Sequence, residues 1–200
     1  MAVIAGLLAA AVAANLAAPD DAIGIGLTRV AFAAAAVTWC AGAAARRGES
    51  LRTLGTGRNE PAALAWLALA LGVAGWLTLN GLNSSLPPWW PPDLAGSDPA
   101  LALVMIVLVA PAGEEVFFRG FVRQALRPAL PPWTAILVLT TLGVVHSAIA
   151  FPGATPDLLV GQGLLAFTLA AAAEVLKLPV VVGARLLCEA GIVAGGMLLA

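Results

Sequence analysis

The sequence predicts an all-α protein, a polytopic transmembrane helix bundle of about seven helices, because apolar runs near the ~20 residues needed to cross a bilayer recur along it. Composition agrees: of 200 residues, 61% are hydrophobic and 10% charged, against about 25% charged in soluble domains. Mean hydropathy is +0.97. A third observation is the placing of tryptophan. The chain has six Trp and no Tyr, and Trp89, Trp90 and Trp133 lie beside prolines at expected helix ends, where an interfacial aromatic belt would put them. One integral membrane domain is expected, with N-terminal helices over 1–99 and a polar-centred core over 100–200.

Residues Met1 to Ala18 are apolar or small and end at Pro19-Asp20-Asp21. They read as a first span; a cleaved signal peptide is the competing reading, although the positive n-region such a peptide carries is missing. The second span runs from Ala22 to about Ala45 and stops at Arg46-Arg47. The third begins at Pro61, a residue suited to a first helical turn, and continues to about Leu82. Between 83 and 99 the run Leu86-Pro-Pro-Trp-Trp-Pro-Pro-Asp93 excludes a helix, since proline lacks the N–H donor. An interfacial loop is expected there. The fourth span starts near Ala100 and ends on Arg119, Arg123 and Arg127; the fifth covers Trp133 to Phe151. A sixth covers Asp157 to about Leu176, and a seventh Pro179 to Ala200.

Arginines after the second span, the group around Arg123, and Lys177 fall in alternate loops, with Asp20, Asp21, Asp93, Asp98 and Asp157 in the others. The positive-inside rule then predicts a multi-pass cell-membrane protein with a cytosolic N-terminus. A formal net charge of −1 gives no electrostatic case for nucleic acid. Cys40 and Cys188 lie far apart inside apolar runs and read as small core hydrophobes, with no disulfide.

The chemistry concentrates in Pro111-Ala-Gly-Glu114-Glu115-Val-Phe-Phe-Arg119-Gly120. Two carboxylates at membrane depth each cost roughly 2.5 to 3.5 kcal/mol on insertion scales, so they demand a use. Glu115 and Arg119, four apart, share a helical face. Glu114 points about 100° away and is left for other work. Counted from the expected cytosolic ends, Glu114 lies about 13 residues in, the single histidine His146 about 13 and Glu189 about 12, each some 18 to 20 Å deep at ~1.5 Å per residue. Carboxylate, imidazole and carboxylate from three helices are therefore expected in one polar pocket. Arg119 and Arg185 fall at a common level nearer the cytosol. Such a pocket suits water activation by a carboxylate base, with an imidazole that binds a metal or serves an oxyanion.

These residues resemble the CPBP intramembrane protease family, also called Abi or CAAX-type proteases. Glu114-Glu115-Val-Phe-Phe-Arg119-Gly120 matches its EExxxR motif with the usual following glycine. Leu142-Gly-Val-Val-His146 keeps the histidine of its FxxxH motif and lacks the phenylalanine. The resemblance covers about the second half of the chain. It implies a helical bundle with a membrane-embedded cavity in which Glu114 is the general base, Glu115 and Arg119 its supporting pair, and His146 a ligand or oxyanion donor. It also implies a metalloprotease's divalent metal, zinc foremost, and a peptide or protein substrate met within membrane lipid.

The third motif, HxxxN or HxxxD, departs from the pattern: its counterpart is Arg185-Leu-Leu-Cys188-Glu189. Glu189 could supply an oxygen ligand instead, since zinc accepts carboxylates, giving His146, Glu114 and Glu189 as the metal set. Alternatively Arg185 pairs with Glu114 or Glu189 and disables metal binding. Two functions follow: an intramembrane endopeptidase, or a catalytically silent family member serving as a membrane scaffold or regulator. A proton-linked carrier would also hold carboxylates at midplane, but the repeated broken-helix pair of such carriers is not visible.

Overall fold

A computed structural model describes residues 22–46, 48, 67–68, 70–76, 78, 104–150 and 154–199. Every element among them is helical. We label them α1 (Ala22–Arg46), α2 (helical at 67–68, 70–76 and 78), α3 (104–126), α4 (Pro132–Ala150), α5 (Pro156–Val175) and α6 (Leu178–Leu199). The described residues thus contain six helices where about seven were expected. The expected first span at 1–18, its rival reading as a signal peptide, and the Pro/Trp-rich loop at 83–99 lie outside the described residues. Helices α4 and α5, of 19 and 20 residues, are long and apolar enough to cross a membrane.

Local chemistry sets the boundaries. Thr155 caps α5, its Oγ1 accepting a hydrogen bond from the Leu158 N–H at 3.3 Å. Pro156 opens the first turn and Asp157 lies within it, where a missing N–H costs nothing and a negative charge meets the helix dipole. α3 is less regular than its apolar sequence suggests. Its stretches Val104–Val109 and Val116–Val122 are π-helical, with a normal α turn, Ala110–Glu115, between them. Pro111 supplies one cause, because it cannot donate to the carbonyl four residues earlier and its ring crowds that carbonyl. The widened turns flank the Glu114-Glu115 pair, and π-bulges are frequent at functional sites.

Two apolar clusters hold the bundle together. The first joins Phe32, Ala36 and Cys40 of α1 to Phe117, Phe118 and Val122 of α3, with Ile136 and Leu139 of α4 and Ala170 of α5. The second joins Leu67 and Ala74 of α2 to Leu165, Leu169, Ala172 and Ala173 of α5 and Val181 of α6. Between them run close helix crossings that depend on small residues, as membrane helices commonly do. A methyl group on Gly113 would lie 2.9 Å from Ala33 Cα, and one on Gly143 would lie 2.8 Å from Ala166 Cβ. One on Gly161 would lie 2.6 Å from Thr78 N. The first notch sits beside Glu114 and presses α1 onto the polar centre. Cys40 and Cys188 are both free thiols, and Trp133 stands 69% exposed at the start of α4.

Candidate active site

Charged side chains inside an apolar bundle survive only by finding one another. Glu114, Glu115 and Arg119 of α3, His146 of α4, and Arg185 and Glu189 of α6 are each less than 10% exposed. Glu115 and Arg119 pair through Oε2 and Nε at 3.2 Å, as their spacing predicts. Arg119 also donates from Nη2 to the Ala166 carbonyl at 3.1 Å. One guanidinium therefore neutralises a carboxylate and ties α3 to α5.

Glu114 faces the other way. Its Oε1 is 3.1 Å from His146 Nε2, a close approach in which Nε2 makes no hydrogen bond. Its Oε2 is 3.9 Å from Arg185 Nη2. Arg185 in turn pairs, through the same nitrogen, with Glu189 one turn further along α6. Two π-systems hold the imidazole: the Phe32 ring of α1 at 4.8 Å between centroids and the Phe118 ring of α3 at 5.6 Å.

A narrow cavity opens among Glu114, Glu115, Arg119, His146, Ser147, Gln162 and Arg185. Its water-accessible space is about 20 Å³, and about 10–15 Å³ suffices for one water molecule. Ser147 and Gln162 extend its polar wall: Ser147 Oγ donates to Gln162 Oε1, and Gln162 Nε2 donates to Thr78 Oγ1, both at 3.5 Å.

The structure brings Glu114, Glu115, Arg119 and His146 to one cavity and leaves Glu189 off its wall, behind Arg185. The depth count correctly grouped Glu114 with His146. Arg185, counted one turn nearer the cytosol than Glu189, pairs with Glu189 and approaches Glu114, as one of the two readings of its position expected. Phe32, Ser147 and Gln162 were not foreseen. Gln162, a primary amide within an apolar helix, was the available signal. Arg123, read as part of a basic helix end, is 3% exposed and donates from Nε to Glu174 of α5 at 2.6 Å.

Could these residues hold zinc? Zinc sites use four ligands, at least three of them protein groups, and among the described residues no three His, Cys, Asp or Glu side chains gather as such a site requires. Glu114 and His146 supply two donors. The third expected donor, Glu189, is reached only past the Arg185 guanidinium, and a dication placed there would meet a fixed positive charge. The residues present do not fit a zinc ion.

Residues 96–190 match the family model described as type II CAAX prenyl endopeptidase Rce1-like. That stretch includes the Glu pair, Arg119, His146, Arg185 and Glu189. No curated protein and no solved structure matches the chain. With α4 and α5 of spanning length, the chain is thus a membrane protein that carries, at residues 96–190, a domain of the type II CAAX prenyl endopeptidase Rce1-like family.

Proposed function

We propose that the protein is an intramembrane endopeptidase in which Glu114 activates water to hydrolyse a peptide bond. The observation that carries this reading is the Glu114 carboxylate, buried, 3.1 Å from His146 Nε2, and on the wall of a cavity with room for one water. Glu114 takes a proton as the water oxygen attacks the carbonyl carbon, producing a tetrahedral oxyanion. Collapse breaks the C–N bond, and Glu114 returns the proton to the leaving amine. His146, fixed between Phe32 and Phe118, donates a ring N–H to the oxyanion. Glu115 and Arg119 position Glu114 by holding the α turn that carries it. The substrate is a peptide or protein approached through lipid, and the pattern of basic loops supports a multi-pass topology with a cytosolic N-terminus. Metal assistance is not part of this mechanism.

The rival reading, a silent scaffold or regulator, draws on Arg185, which stands 3.9 Å from the proposed base. Comparing chain termini in membranes that contain wild type or Glu114→Gln at equal abundance separates the two. The proposal expects new termini in wild type that disappear in Glu114→Gln. Identical sets would leave the scaffold reading.

A further inference from the structure

We infer that Arg185 is the resident cation of the site, occupying the place a divalent metal would need, and that removing its charge opens that place to a metal. The inference deepens the proposed mechanism, yet it can be tested without any cleavage assay. It starts from charge. Three carboxylates, Glu114, Glu115 and Glu189, are buried together, and uncompensated negative charge is not tolerated in an apolar interior. Arg119 is committed to Glu115 and to the Ala166 carbonyl. The remaining two carboxylates, from two different helices, converge on Arg185.

A second observation points the same way. Arg185 is 7% exposed, lines the water-sized cavity, and its Nε–H has no hydrogen-bond partner among the described residues. A buried donor left unmade is costly, and the residue that carries it lines the cavity in which a carbonyl oxygen would develop negative charge. A guanidinium can serve such an oxyanion as a bound cation would, and unlike a metal it cannot be extracted. Zinc would be attracted to Glu114, His146 and Glu189 together only when the guanidinium no longer stands among them.

The test uses purified full-length protein in detergent with zinc as the probe. Arg185→Gln keeps much of the length and drops the charge, leaving the two carboxylates and the imidazole without the α6 cation. A ligand that binds only the folded form raises its melting temperature. Zinc is therefore expected to raise the melting temperature of Arg185→Gln and leave wild type unchanged. Metal analysis after dialysis is expected to find zinc near one per chain in the double variant Arg185→His, Glu189→Asn, lost again on adding His146→Ala, and none in wild type. Stoichiometric zinc in wild type that His146→Ala removes would overturn the inference. So would variants that neither bind zinc nor gain stability from it. Failure of the chain-terminus comparison would overturn the hydrolase reading and leave these outcomes intact.

Discussion

Replacing Arg119 by alanine should be among the most damaging single changes in the protein, and replacing Glu115 with it should be less so. Arg119 and Glu115 are 4% and 2% exposed and meet at 3.2 Å. Removing one member of a buried pair strands the other charge, at about 3–5 kcal/mol, whereas removing both is often close to neutral. The Arg119 bond to the Ala166 carbonyl is lost in either case, at about 1 kcal/mol. The single variant should thus lose roughly 4–6 kcal/mol. For the double variant, with Glu115→Gln and Arg119→Met to conserve volume, the loss should be roughly 1–2 kcal/mol. Reversible unfolding in mixed micelles, followed by helical circular dichroism, measures both. A double variant at least as unstable as Arg119→Ala would refute the reasoning, since it would give the pair a large net worth of its own.

Gly113→Ala should destabilise by about 1–3 kcal/mol, the usual cost of overpacking, because the new methyl would meet Ala33; Ala33→Gly should recover part of it. Gly183→Ala, with nothing within 4 Å of the added carbon, should change stability by no more than about 0.5 kcal/mol; the same unfolding assay compares the two. Glu174→Ala should cost roughly 3–5 kcal/mol, because it leaves the buried Arg123 without its partner, and a loss below about 1 kcal/mol, the worth of an exposed pair, would contradict the burial seen here. Both thiols should resist a polar maleimide in the folded protein and react on unfolding. Cys40, fully buried, should be the slower of the two.

Much of the site was legible in the sequence because charge in an apolar run is conspicuous. Glu114, Glu115, Arg119, His146, Arg185 and Glu189 stand out for that reason alone, and helical periodicity correctly paired Glu115 with Arg119. Helix spans were equally readable: α1, α5 and α6 begin or end within a residue or two of the apolar runs. What was hidden depends on contacts between helices. Phe32 looks like any lipid-facing aromatic until α1 packs against Gly113 and sets its ring on His146. The π turns around Pro111 and the Arg123–Glu174 bond arise from backbone crowding and from a partner 51 residues away, neither of which has a period. Arg185 was legible in part: pairing with Glu114 or Glu189 was one of its two readings, and only the packing of α6 against α3 brings it to both.

The central claim is that water activated by Glu114 cuts a peptide bond inside the bundle, and labelled water tests it most directly. Membranes containing the protein are incubated in 18O water, and the new chain ends are read by mass spectrometry. Losing a general base slows reaction by about 10²–10⁴-fold. The account predicts one 18O in each new carboxylate formed by wild type, and loss of those products by at least ~10²-fold in Glu114→Gln. Labelled products formed equally by Glu114→Gln, or no wild-type-dependent product at all, would contradict it.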